Sequence, residues 1–177
     1  MSGVEPISAS GLVAAPPEDV FDFLSRLENH WRLVDRFVVV VSVDGSGAVV
    51  RLRGPLGVRR TVRTRVTSAV RPRTIVGVAE LGGGTRARVT WALEPVGAAR
   101  THVLLTAEVE RAQRLDRLVL ALGGREWMRR RFAGGLVRLA ARYSSSAAQA
   151  SAVPRASARQ ASTDSQSTRS GVSDGRW

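Results

Sequence analysis

Few residues of this chain have the type and setting to do chemistry. Glu80 is a lone carboxylate in the apolar run 74–81. Sunk in a hydrophobic cavity it would lose solvation, hold its proton longer and become a usable acid. Paired with an arginine of a neighbouring segment, such as Arg88, it would be an ordinary ion pair, and this is the preferred reading. Arg63 and Arg65 alternate with Val62, Thr64 and Val66. With the valines inward, both guanidinium groups are solvated. A bulge would turn one of them to a cavity mouth, where it could polarise a ligand carbonyl. Arg51 and Arg53 share this ambiguity. His30 is a candidate general base whose alternative place is a helix end or the surface. His102 falls on the outer face of its segment beside Leu104 and Thr106, which sets it aside as a catalyst.

The patterns of stronger chemistry are missing. The chain has no cysteine, so disulfides, thiolate metal sites and a cysteine nucleophile are excluded. The two histidines lie on different elements, so no metal site is expected, and no cofactor. No Ser-His-Asp order and no paired-carboxylate pattern is convincing. Gly82-Gly83-Gly84 lies between two strand-like runs rather than before a helix, which makes it a turn and not a phosphate cradle.

The net charge is +12, and all 27 basic residues are arginine. Alongside abundant Ala, Val and Gly, this is the amino-acid bias of a GC-rich genome. Nucleic-acid binders add aromatic stacking positions or a recognition helix to their charge. Neither is evident, so no specific nucleic-acid partner is expected, and peripheral contact with an anionic membrane stays open. Met1 to Pro6 shows no basic or apolar leader region. The most apolar stretch, 37–43, is far short of the roughly 20 residues of a membrane span. A soluble, cytoplasmic protein is expected.

These side chains must be positioned by a mixed set of elements. Ile7–Val13 reads as a strand with Ile7, Ala9 and Gly11 on one face. Pro17 suits the first turn of a helix, and Glu18 and Asp19 favour its positive end. Val20, Phe23, Leu24 and Leu27 follow at helical spacing, giving a helix over 17–27 and a second, short one over 28–34. Six strands follow: 36–43, 48–53, 58–70, 74–81, 86–95 and 100–110. Turn signals such as Asp44-Gly45-Ser46-Gly47 separate them. Their alternation sets Val62, Thr64 and Val66, then Ala87, Val89, Trp91 and Leu93, then Val103, Leu105 and Ala107 on one face. Strands joined by short turns form an antiparallel meander. The last element, 115–143, carries Met128, Phe132, Leu136, Leu139 and Tyr143 as one apolar helical stripe. Gly123-Gly124 interrupts it, at roughly 1 kcal/mol of helix stability per glycine, so a kink is expected there. Residues 144–177 are rich in Ser, Ala, Gln and Thr and cannot bury enough surface to offset chain entropy. They are expected to be a disordered tail, with 1–6 a flexible start and 7–143 the one folded domain.

This α+β order of one strand, two helices, a six-stranded meander and a long C-terminal helix resembles the helix-grip (START-like, Bet v 1-like, SRPBCC) superfamily. Within it the chain is similar to the bacterial polyketide cyclase/dehydrase and lipid-transport group. The likeness is carried by Ala14-Ala15-Pro16-Pro17-Glu18-Asp19-Val20-Phe21-Asp22-Phe23-Leu24, by Asn29-His30-Trp31 and by Val89-Thr90-Trp91-Ala92-Leu93-Glu94-Pro95. The resemblance implies a seven-stranded antiparallel sheet curled around the long helix, with a cavity between them. By the alternation, Val89, Trp91, Leu93, Val103 and Leu105 would face Met128, Phe132 and Leu136 across it, with Trp31 near the mouth. Arg63 and Glu80 are its candidate polar groups.

A fold hosts many functions, so function must come from the site. The first reading is a protein that binds, carries or sequesters a hydrophobic small molecule such as a lipid, quinone or polyketide-like compound. The alternatives are a cyclase- or dehydrase-type enzyme using the same cavity, and a basic interaction protein contacting anionic lipid, ribosome or nucleic acid. Two or more buried ionisable groups close together would favour the enzyme. A purely apolar cavity would favour the binder, and a continuous arginine face without a cavity the third.

Overall fold

The computed structural model describes residues 5–34, 38–53, 57 and 59–152, with 146–152 as backbone alone. The elements are β1 (Ile7–Val13), α1 (Pro17–Leu24), α2 (Leu27–Leu33), β2 (Val38–Asp44), β3 (Gly47–Arg53), β4 (Arg59–Val70), β5 (Thr74–Leu81), β6 (Thr85–Pro95), β7 (Thr101–Arg111), α3 (Arg114–Val119), a π-wound segment (Leu120–Gly124) and α4 (Arg125–Ala152). The strands form one antiparallel sheet in the order β1-β7-β6-β5-β4-β3-β2. Strands β2 to β7 are a meander. β1 pairs with β7, Ile7 opposite Ala107 and Val13 opposite Thr101. The chain therefore leaves one edge of the sheet after β1 and must reach the other edge to begin β2, and α1 and α2 make that crossing.

The inward alternation is as the sequence reads. Ile7 and Val13 on β1, Val62 on β4, Ile75 on β5, Trp91 and Leu93 on β6 and Val103, Leu105 and Ala107 on β7 are all buried. Val13, Ile75, Trp91, Leu93, Val103 and Leu105 of these pack with Val20, Phe21, Phe23 and Leu24 of α1 and with Leu136 and Leu139 of α4, while Val62 packs with Leu27, Ala48 and Val50. Contact is close where α4 crosses β1, since a Cβ at Gly11 would lie 3.4 Å from that of Leu136.

The first helix ends earlier than its hydrophobic period predicts, at Leu24 rather than at residue 27, and Leu27 opens α2. The cause lies beyond the break. Asn29 Nδ2 donates to Phe23 O at 2.8 Å and His30 Nε2 to Leu24 O at 2.5 Å, satisfying carbonyls that a helix end leaves orphaned. Arg138 Nη1 from α4 likewise donates to Leu33 O at the end of α2. Tyr143 Oη donates to Asp19 O at 2.9 Å, its ring set edge-on to Phe23.

Strand bounds shift by a residue or two: β6 opens at Thr85 and β7 runs from Thr101 to Arg111. The first two positions of the expected strand 36–43 lie outside the described residues. The expected kink is present. Leu122 and Gly123 leave helical geometry, and Gly123 has φ +103°, in the left-handed region that favours glycine. Gly124 is required for another reason, because a Cβ there would lie 2.6 Å from Val119 O.

The described residues up to Ser144 form one packing unit. Of the stretch expected as a tail, 144–152 continues α4 and 153–177 lies outside the described residues. At the start, residues 1–4 lie outside them, and Glu5 accepts from Arg125 at 2.8 Å through its backbone oxygen.

Leu139 is 0% exposed in the grip between α4 and α1. Leu139→Ala should lower unfolding free energy by about 2–5 kcal/mol in urea titrations followed by circular dichroism. Val137→Ala, on the solvent side of the same helix, should stay within about 0.5 kcal/mol.

Candidate functional site

Two adjoining chambers lie between the inner face of the sheet and the C-terminal helical elements. The larger, of about 290 Å³, is roofed by α3, the π-wound segment and the first turns of α4. The smaller, of about 190 Å³, is bounded by α2, β4 to β7 and the middle of α4. Trp31, Val34, Thr64, Ala79, Val89 and Phe132 line both. Together the chambers fall within the range of small-molecule sites, about 300–1,000 Å³.

Of the residues that the sequence places on the wall, Trp31, Val89, Trp91, Leu105, Met128 and Phe132 line a chamber. Leu93, Val103 and Leu136 do not. All three are buried in the solid core, with Leu93 and Val103 at the end of β6 and β7 that packs with Val13, Val20 and Leu24. Alternation assigns a side chain to a face but not to a position along the strand.

Arg63 and Glu80 also stand outside. Both are exposed on the outer face, opposite each other in register across β4 and β5. The strand does bulge, but between Val66 and Ser68, beyond Arg63 and Arg65; both are exposed, and Arg65 borders the smaller chamber. Glu80 pairs with Arg86 at 3.7 Å, its register partner on β6, while Arg88 pairs with Glu110. Arg51 and Arg53 are exposed, and His102 sits 3.9 Å from Glu94 on the outer face.

The polar groups of the larger chamber are others. Arg60 shares the inward parity of Val62 and Thr64. Its Nη2 donates to Asp116 Oδ1 of α3 at 3.1 Å. Thr85 Oγ1, buried at the start of β6, donates to Asp116 Oδ2, and Gln113 N donates back to Thr85 Oγ1 at 3.1 Å. The cluster latches α3 down over the chamber. Removing one member would leave the other charge buried without compensation. Arg60 was legible in the sequence as an arginine on an apolar face. Its partner lies on an element where nothing pointed to it.

His30 is the other titratable group. It lines the smaller chamber with its ring centroid 5.5 Å from that of Trp91. Burial pushes its pKa down, and the hydrogen bond to Leu24 O only partly opposes this. The neutral ring donates from Nε2. Among the described residues no group of three His, Cys, Asp or Glu side chains could hold a metal ion, and no helix is long and apolar enough to cross a membrane.

The family model described as polyketide cyclase / dehydrase and lipid transport matches residues 7–144. No curated protein matches the sequence. Among solved structures, a conserved protein from Geobacillus kaustophilus is 14% identical with a TM-score of 0.61, the alignment covering 80% of this chain and 97% of that one. A protein from Thermus thermophilus is 20% identical with a TM-score of 0.57, covering 80% and 99%. A third, from Mycobacterium smegmatis, is 13% identical with a TM-score of 0.55, covering 76% and 90%. At such identities the likeness is one of fold.

The depressed pKa of His30 makes stability depend on pH with a definite sign. Below the ordinary value near 6.5 the unfolded chain takes up a proton that the folded chain resists. This part of the stability is therefore full above that pH and is lost as pH falls toward the folded pKa. Chemical denaturation between pH 7.5 and 5 should show the loss, and His30→Gln should flatten that part of the profile.

Proposed function

We propose that the chain, which belongs to the polyketide cyclase / dehydrase and lipid transport family, binds a hydrophobic small molecule in the paired chambers under α3 and α4. A lipid, a quinone and a polyketide-like compound are the classes in view. The observation that carries this reading is the largely apolar wall that the two spaces share, with Trp31 and Phe132 lining both. A ligand there exchanges water for aromatic and aliphatic walls, worth about 25 cal/mol per Å² of apolar surface buried. Met128, flexible and polarizable, suits a wall that must adapt. The way in is α3: the break at Leu122 and Gly123 separates it from α4, and the Asp116 latch holds it shut.

The Arg60–Asp116 pair is the one observation that favours an enzyme of the cyclase or dehydrase type, since it sets two ionisable groups at the chamber wall. Both carboxylate oxygens of Asp116 already accept hydrogen bonds. His30 Nε2 is likewise engaged, with Leu24 O. These groups hold structure, and binding remains the better reading.

A surface feature favours contact with an anionic membrane in addition. Leu115, Leu118 and Leu122 point outward from the roof of the chamber, Leu122 at 74% exposure. Arg111, Arg114 and Arg117 are exposed around them. Leucines to enter the acyl boundary and arginines to meet phosphates are the chemistry of an interfacial helix. Docked there, the roof would face the source of a lipid ligand.

Diphenylhexatriene, a hydrocarbon dye that fluoresces when sequestered from water, should bind one per chain with micromolar affinity. Ala79→Phe, which fills the junction of the chambers, should weaken binding at least tenfold with little change in melting temperature. Arg63→Ala should change neither quantity. Absence of saturable binding would remove the proposed function. Separately, vesicles containing phosphatidylglycerol should sediment the protein in a salt-sensitive way and phosphatidylcholine vesicles should not. Replacing Leu115, Leu118 and Leu122 by serine should abolish sedimentation while leaving dye binding intact.

A further inference from the structure

Among the described residues two buried side-chain polar atoms have no hydrogen-bond partner: Trp31 Nε1 and Arg60 Nε. Both residues line the larger chamber, at the α2 side and the β4 side. Both atoms carry an N–H and neither can accept. A buried donor left unpaired costs about 1–3 kcal/mol, and more when the group is charged.

The polar oxygens named on the same wall already take part in hydrogen bonds. Asp116 Oδ1 takes Arg60 Nη2 and Asp116 Oδ2 takes Thr85 Oγ1. Thr85 Oγ1 takes the Gln113 N–H, and Thr64 Oγ1 donates to Ala48 O at 3.5 Å. The buried side-chain atoms of this wall that have no partner at all are thus two donors in an apolar surround. Charge narrows the match further. Arg60 is neutralised by Asp116 at 3.1 Å, so a carboxylate at this wall would bring a second negative charge into the larger chamber, whose lining has no other arginine.

Resting on the binding function proposed above, we infer that the ligand is a neutral apolar molecule bearing carbonyl-type acceptor oxygens, such as a ketone, an ester or a quinone, which Trp31 Nε1–H and Arg60 Nε–H orient. A hydrocarbon leaves both donors unpaired. An alcohol brings a hydroxyl proton that must share an oxygen of Asp116, Thr85 or Thr64, each already in a hydrogen bond. A free acid brings an uncompensated charge. Sites built around hydrogen bonds discriminate in this way because the wrong ligand leaves buried groups unpaired.

The test is displacement of diphenylhexatriene by four compounds of equal chain length: an alkane, a primary alcohol, a methyl ketone and the carboxylate at neutral pH. The methyl ketone should displace the dye at a concentration at least tenfold below the other three. Trp31→Phe keeps an aromatic ring and removes the N–H. It should cut the advantage of the ketone over the alkane several-fold, read as the ratio of the two displacement concentrations within the same variant. As a second readout independent of that variant's stability, the ketone and not the alkane should move one tryptophan Nε1–H resonance in a nitrogen-15 correlation spectrum, and Trp31→Phe should remove that resonance. Equal displacement by all four compounds, or preference for the alcohol or the carboxylate, overturns the inference and leaves the binding function standing. Failure of the dye and of every compound to bind refutes the binding function itself.

Discussion

The width of the sheet dictates the rest of the molecule. Seven strands spaced about 4.8 Å apart span roughly 29 Å. One helix with its side chains covers about 10–12 Å. α4 alone cannot fill the inner face, however the sheet curls. Two further pieces must lie on it, and the connectivity supplies them: α1 and α2, which carry the chain between opposite edges, and α3, which leads from β7 into α4. Where α1 and α4 meet over β6 and β7 the cover is complete, and a solid core of Val20, Leu24, Val103 and Leu139 results. Under α3 and the start of α4 the cover spans without filling, and the space left over is the site.

This explains which parts were legible beforehand. Parity along a strand is a local property. It placed Val62, Trp91 and Leu105 inward and kept Arg63 outside, and it needed no knowledge of what the inner face meets. Whether an inward residue meets a helix or a void depends on where the covering elements stop, which no strand encodes by itself. Leu93 and Val89 have the same parity four residues apart on β6, and one is core while the other is wall. The end of α1 is illegible for a related reason. No glycine or proline stops the helix at Leu24, and its carbonyls are satisfied by Asn29 and His30, which are still to come in the chain. Arg60 shows the same limit in the site. Its inward parity was visible, but its meaning depends on Asp116, 56 residues away.

The arginine-only basic set has physical uses beyond its bias of composition. Many members lie on the outer surface in exposed pairs such as Arg88 with Glu110, which contribute little to stability. Others do what a flat, rigid group with several donors does well. Arg138 reaches the terminal carbonyl of α2, Arg142 stacks 4.6 Å over the ring of Phe23, and Arg60 engages Asp116 with one nitrogen while its Nε is buried without a partner. A lysine ammonium would be a single point of charge at each place.

The pairing of β1 with β7 has a consequence in time. Ile7 finds its neighbour only when Ala107 exists. At a synthesis rate of about 5–20 residues per second, the first strand waits roughly 5–20 s for the last. Through that interval the apolar faces of β1 and α1 have neither their strand partner nor the long helix that covers them. Contacts so distant in the chain also slow the search for the native sheet. The same closure that shelters a ligand in the finished protein leaves the nascent one dependent on chaperones, or on keeping its own early segments from aggregating, until β7 leaves the ribosome.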